Sequence, residues 1–448
     1  MLRTRAILVI VCIFLMAACG GKQKPVHSGQ LSLASAPLED LRRFPQNLEA
    51  YAVNADQPIL SKERQLAQAE RFRRIVFGPW KMSKTSIRKQ DVISAFRKAR
   101  GYKYDDVLWT QPEWDAMKAN AEPDTFPTHC QAAIAIRSTD LRELPTKEHR
   151  FSEPTFDPHA NPFDNFQYSR LPVGTPLLIA HTSRDGLWHY VECPVAGGWV
   201  AAQDVAPISE EVQQTISNSP FAALLRDKVT LTSPAGSITA DIGTLLPLGN
   251  TSRGRLQILL PVRGADGWAA LSPAMVSSSD AAVWPLRMTP RTVAKLGNVL
   301  MGQPYGWGGM FGNRDCSALT RELLAPFGIW LPRNSVAQAR VGIVIPLDGL
   351  PSREKEERIL EHGVPFLSLV GMRGHIMLYV GKYKGRAAIF HNVWGVRTVE
   401  GDDDNARHVI GKAVVTSITP GAELKNLYRP ITFVDRLRTL STPVDPLP

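Results

Sequence analysis

Long apolar runs are what this 448-residue sequence most plainly lacks. A membrane-spanning helix needs roughly 20 consecutive apolar residues. The longest run here, Ala6–Ala18, has 13, which excludes a polytopic helical membrane protein. Cysteine is scarce, at five residues. Neither a C-x-x-C nor an H-E-x-x-H spacing occurs, so no metal site and no cofactor are expected. Charge is moderate, 21% against 44% apolar residues, which argues against wholesale disorder. Proline (34) and glycine (33) are not scarce. Their abundance favours many turns and short strands over a helical bundle. The length is enough for two to four domains.

The first residues read as an export signal. Arg3 and Arg5 supply the positive start, Ala6–Met16 the apolar core and Ala17-Ala18 the small residues before Cys19. Met16-Ala17-Ala18-Cys19 resembles a bacterial lipoprotein cleavage box, with Met where Leu is usual. That resemblance implies removal of 1–18 and lipidation of Cys19; a plain secretory signal is the alternative. Gly20 in place of Asp implies the outer membrane, so the expected location is the periplasm, on a lipid anchor with 19–35 as tether. The chain has 52 basic and 42 acidic residues. Loss of Arg3 and Arg5 leaves 50 basic residues, net +8, an attraction to polyanions. Export excludes nucleic acid as the expected partner, and a monomer is expected. Of the remaining cysteines, Cys130 and Cys193 either pair or stay as two buried thiols, and Cys316 is left over.

Residues 36–125 read as a mainly helical domain. Leu66, Ala69, Phe72 and Val76 recur at helical spacing in Ser61–Phe77, which Gly78-Pro79 stops; Asp91–Arg100 reads as a second helix. From 126 the pattern changes to short strands, CQAAIAIR, PLLIA, LWHYVE and GWVAA, separated by turn residues. The Gly-Trp of 198–199 recurs at 267–268, each before small apolar residues. This resembles bacterial SH3-type barrels, and two are expected, 126–208 and 209–284.

The remainder, 285–448, carries the chemistry. Glycines 302, 306, 308, 309 and 312 make a loop, after which Ser317, Leu319, Leu323 and Phe327 fit a helix ending at Gly328. Cys316 thus falls at a helix start, where unpaired N–H groups favour a thiolate and can hold an oxyanion. The glycines are expected to let a substrate backbone come close. A thiolate needs a base. Gly374–Val380 and Arg386–Asn392 read as strands joined by the five residues GKYKG. Folding that hairpin about Tyr383 sets His375 opposite His391, so His375 is the expected base and His391 its orienting partner. A one-residue slip would put Asn392 there instead. Asp402-Asp403-Asp404 reads as a solvated turn.

Tyr305-Gly306-Trp307-Gly308-Gly309, Asp315-Cys316-Ser317, Leu331-Pro332-Arg333-Asn334-Ser335, Gly374-His375 and His391 together resemble the NlpC-type murein peptidases, papain-like cysteine peptidases of the bacterial cell wall. Ala318 stands where Gly is usual and Asn334 where Asp is frequent. The resemblance implies an α+β fold. A papain-like domain would follow two small all-β barrels and a helical N-terminal domain, as in a multidomain branch of that family. It implies Cys316 as nucleophile, with His375 and His391 as base and third member. Tyr305, Asp315, Ser317, Arg333 and Ser335 would bind murein stem peptides, Asp315 suiting a free L-Ala amine and Arg333 a D-Glu carboxylate. Asp315 is also a residue type that caps helices, and Arg333 one that pairs a local acid. The implied reaction is hydrolysis of the γ-D-glutamyl–diamino acid bond, with preference for a free N-terminal L-Ala. A non-catalytic murein-binding anchor and an acyl or amide transferase are the alternatives.

Overall fold

The computed structural model describes residues 37–97, 100–157 and 160–444. The expected signal segment, Cys19 and the tether lie outside the described residues. Among the described residues no helix is long and apolar enough to cross a membrane.

The expected α+β architecture is present. Three antiparallel sheets follow one another. The first runs from Gln131–Ala135 to Val205–Pro207 in seven strands. Its core centres on Trp199, fully buried and edge-on to Tyr190 at 5.4 Å. The helix Gln111–Ala121 lays Trp114 and Met117 against the same core. The second sheet has five strands between Phe221–Leu224 and Ala281–Trp284, with a separate two-stranded hairpin of Val229–Ser233 and Gly236–Ala240. Its interior is aliphatic: Leu231, Leu246, Ile258, Leu260 and Val276. The two Gly-Trp pairs are not structurally equivalent. Trp199 lies within the strand Gly197–Ala201, whereas Trp268 is 41% exposed just before the strand Ala269–Ser277. Gly267 there has φ +85°, so the second pair serves a turn and the first a core.

The third sheet is six-stranded, ordered Ile343–Pro346, Leu437–Thr442, Leu369–Met372, His375–Tyr383, Arg386–Glu400, Asp403–Thr416. Side chains of one strand alternate between its faces. Ile376, Leu378 and Val380 pack with Leu296, Leu300, Leu319 and Leu323 of the helices Pro290–Leu300 and Cys316–Leu324. Met377 and Tyr379 pack on the other face with Ile359 of the helix Ser352–His362.

The leader does not form a core of its own. Phe44, Leu48, Tyr51, Ile59 and Leu60 are buried in the third sheet's core. The helix Lys62–Val76, capped by Ser61, puts Ala69 among residues of the first two sheets. Leu66 of the expected stripe is 46% exposed. The second expected helix is shorter than its spacing suggested, Lys89–Ala95. The leader's apolar residues thus splice three units together.

Candidate active site

Cys316 opens the helix Cys316–Leu324 and is 5% exposed. Asp315 is the N-cap, accepting from the backbone N–H groups of Ser317 (3.1 Å) and Ala318 (2.8 Å). The backbone N–H groups of Ile376 and Ser317 lie near the Cys316 sulfur and favour its anion. Ile376 follows His375, so this contact sets the sulfur beside the start of the histidine strand. The expected lowering of the thiol is not found. Burial and the neighbouring Asp315 carboxylate push it up to about 12, outweighing the helix N–H groups. The resting group is a thiol.

His375 and His391 meet: His375 Nε2 lies 2.8 Å from His391 Nδ1. The expected register is corrected. Tyr383 pairs with Arg386, so the turn is the two residues Lys384-Gly385, φ +47° and +85°, a left-handed pair suited to a hairpin. An irregularity at Val380 then shifts the pairing, and Leu378 faces Phe390. Continued along the strands, this sets His391 across from Met377. His375 is then its diagonal neighbour on the same face, within reach of an imidazole. Asn392 faces elsewhere and donates to the carbonyls of Pro304 (3.2 Å) and Arg314 (2.9 Å).

The hydrogen-bond chain assigns the protons. Thr416 Oγ1 donates its only hydrogen to Ser417 O at 2.7 Å. His391 Nε2, 3.1 Å from that oxygen, must therefore be the donor to it. Burial lowers His391 well below the usual imidazole range, and His375 adds to this, so the ring is neutral and its Nδ1 accepts. His375 Nε2 is then protonated. Burial, aided by the Arg436 charge, holds His375 at about 3. Its Nδ1 keeps a lone pair, the form a base requires. The ring of Phe433 lies 6.1 Å from that of His375 and 6.0 Å from that of His391. The motif reading missed Thr416 and Phe433, both common residue types far along the chain.

The other expected residues fall into two groups. Asp315, Ser317 and Arg333 form one buried network. Arg333 Nη2 lies 2.7 Å from Asp315 Oδ2, and its Nη1 reaches Asp315 Oδ1 (3.0 Å) and Ser317 Oγ (2.9 Å). Gly308 N donates to Asp315 Oδ2 (3.1 Å). Arg333 and the capping N–H groups hold Asp315 below the usual carboxylate range despite its burial. Both carboxylate oxygens are thus engaged within the protein, and so is Arg333. Ser335 begins the short helix Ser335–Gln338 and makes no hydrogen bond to this network among the described residues. Tyr305 is buried and packs on Phe163 (5.7 Å) and Trp394 (6.1 Å).

Much of the wall comes from the first barrel. Ser169 Oγ accepts from Arg333 Nε (2.8 Å), Pro162 O from the backbone N–H of Trp307 (3.0 Å), and Phe163 sits beside Tyr305 and Trp307. Two of the loop glycines, Gly308 and Gly309, serve this contact. A Cβ on Gly308 would lie 2.4 Å from Gln167 O, and one on Gly309 2.7 Å from Arg170 Cβ. Arg314 ties the same loop to the unit of the second sheet through Asp227 at 2.7 Å, and to the Cys316 helix through Glu322 at 2.6 Å. Cys130 is exposed, Cys193 buried, and neither is in a disulfide. No cluster of potential metal ligands occurs among the described residues, and Asp404 of the acidic triplet pairs with Arg397.

A buried thiol at a helix start, two contacting imidazoles on the adjoining sheet and a barrel at the cleft wall define a multidomain chain with a papain-like C-terminal unit. Residues 302–402 match the NlpC/P60 family model, 149–201 an SH3 domain of SH3b1 type, and 8–126 the NLPC_P60 N-terminal stabilising domain. The chain thus carries an NlpC/P60 domain behind an SH3 domain and the N-terminal stabilising domain of that family. A Bacillus cereus gamma-D-glutamyl-L-lysine dipeptidyl-peptidase is 24% identical over 41% of the chain and 54% of its own length. A Bacillus subtilis protein of the same name is 32% identical over 24% of the chain and 34% of its own length. The chain thus spans about half, and about a third, of these relatives. An NlpC/P60 endopeptidase structure from Photobacterium damselae subsp. piscicida has a TM-score of 0.80 at 23% identity, covering 92% of this chain and 99% of that one, a likeness of fold.

Proposed function

We propose that the protein hydrolyses an amide of murein stem peptides by thiol chemistry, at the bond joining γ-D-glutamate to the diamino acid. The observation that carries this reading is the neutral His375–His391–Thr416 chain, whose first member adjoins Ile376, the residue that brings its backbone N–H to the Cys316 sulfur. Since thiol and imidazole are both neutral at rest, the proton moves as the bond forms. Cys316 Sγ attacks the γ-carbonyl while His375 Nδ1 takes the thiol proton. The backbone N–H of Cys316, the helix-start donor that the Asp315 cap does not take, receives the oxyanion. The imidazolium then gives its proton to the departing amine, leaving a thioester. Water, deprotonated by His375, cleaves the thioester and frees the acid and the thiol. His391 holds the ring and its tautomer. The family and the printed activity of the two curated relatives support the bond assignment.

The first barrel closes one end of the cleft, which restricts cleavage to peptides with a free N-terminal L-Ala. Phe163 and Ser169 support this reading, since both reach the peptidase loop. With Asp315 and Arg333 paired to each other, they shape that end rather than offer free charges. Comparison of a free tripeptide with intact sacculi tests the restriction: faster attack on sacculi rejects it. Residues 1–19 support export and a lipid anchor at Cys19, which acyl labelling of wild type against Cys19→Ser would test. Cys316→Ala should fold and release no product from a stem tripeptide; persistent release from this variant refutes the nucleophile. Release unaffected by an added amine acceptor separates hydrolysis from transfer.

A further inference from the structure

Past His375 the cleft, about 190 Å³, changes character. Tyr305, Trp307 and His375 are among its lining; Arg397, Arg407 and Arg436 also reach it, set among apolar and aromatic side chains such as Trp394 and Tyr428, and no Asp or Glu lines it. We propose that these three arginines form a carboxylate-binding subsite for the residue that departs as the new amine, selecting a diamino acid with a carboxylate at its side-chain end over lysine. The inference rests on the peptidase reading and deepens it.

The side of the cleft follows from the chemistry. The acyl part of a substrate lies toward the Asp315–Ser317–Arg333 network and Ser169 of the barrel. The departing amine takes its proton from His375, so the departing residue lies on the His375 side. Arg436 is there: its charge is the largest one opposing protonation of His375. It donates to the carbonyl of Arg373, two residues before that histidine, at 3.1 Å.

The three charges converge with a single ion-paired acid among the described residues, Asp404 on Arg397. Arg397 and Arg407 are direct cross-strand partners, an arrangement of like charges that ordinarily destabilises a sheet. Arg397 is held 3.6 Å over the Tyr428 ring and 3.2 Å from the Asp404 carboxylate. Among the described residues Arg407 donates to the carbonyls of Asn405 (3.1 Å) and Ala406 (3.2 Å). Among the described residues neither Arg407 nor Arg436 has a carboxylate within ion-pair distance. Burial and the neighbouring guanidinium groups lower both below the usual arginine value; Asp403 is the acid whose charge reaches Arg407. A carboxylate entering here would meet forked donors and relieve the repulsion.

The test uses the full chain and two tripeptides, L-Ala-γ-D-Glu-meso-diaminopimelate and L-Ala-γ-D-Glu-L-Lys, which differ by one carboxylate. The expected wild-type kcat/KM ratio favours diaminopimelate by roughly tenfold or more, the scale of one charge-assisted hydrogen bond. Added salt should reduce that ratio. Arg407→Gln and Arg436→Gln should bring it toward one, and Arg407→Glu should invert it. Equal cleavage of the two peptides by wild type, or a ratio unmoved in folded, active variants, overturns the subsite alone. Cleavage of neither peptide by wild type overturns the peptidase reading beneath it.

Discussion

Thr416 decides which nitrogen of His375 is free. Its hydroxyl hydrogen is spent on Ser417 O, so His391 presents Nδ1 to His375 rather than a proton. In Thr416→Val that constraint goes, and His391 can turn its proton toward His375 and leave the base protonated on the wrong side. The expected result is a fall in kcat of roughly 10- to 100-fold with KM little changed. Thr416→Ser should restore most of the rate. Equal loss in both variants would mean Thr416 serves packing only. At this scale the sequence was informative where residue type is rare or motif-bound. Cys316 after a glycine loop and two histidines on adjoining strands could be seen. Thr416, Phe433 and Arg436 could not, because threonine, phenylalanine and arginine are common and nothing local marks them. The thiol's ionisation was misjudged because burial, which overrides the helix start, is not written in local sequence.

The histidine hairpin shows what an element's pattern does and does not carry. Two strands and their shared face could be read from alternation, since face depends only on the parity of the pairing. The register could not: the turn closes at Lys384-Gly385 and an irregularity near Val380 shifts the pairing again. Two odd displacements cancel in parity, so the histidines still share a face. The Gly308-Gly309 loop carries the opposite lesson. Its glycines were legible, their purpose was not, because the barrel backbone they admit lies some 140 residues earlier. Gly308→Ala adds a strained positive φ (63°) and a collision with Gln167. Destabilisation of about 1–3 kcal/mol is expected, measurable as a lower midpoint in denaturant. An unchanged midpoint would mean the barrel and loop do not pack this way in solution.

Across the whole molecule, the first sheet's unit walls the candidate site and the leader fills the core behind it, so both add to its burial. Buried neutral imidazoles make stability depend on pH. His375 is held at about 3 against an ordinary 6.5, and His391 is also lowered. Between those values the unfolded chain binds protons that the folded chain does not. Stability is therefore full above about 6.5 and is lost as pH falls toward 3. Thermal midpoints should drop over that window, less steeply in His375→Gln/His391→Gln; an identical slope would contradict neutral burial of the pair. The three-part order of leader, barrels and peptidase could be read from shifts in composition. The leader's division among three cores could not, since its apolar stripe does not say which surface it meets.

The most direct measurement is mass spectrometry of full-length wild type and Cys316→Ala incubated with L-Ala-γ-D-Glu-meso-diaminopimelate and with its N-acetylated form. The account predicts L-Ala-γ-D-Glu and free diaminopimelate from the unblocked peptide with wild type, little from the blocked one, and nothing with Cys316→Ala. Undiminished products from a folded Cys316→Ala protein would contradict it.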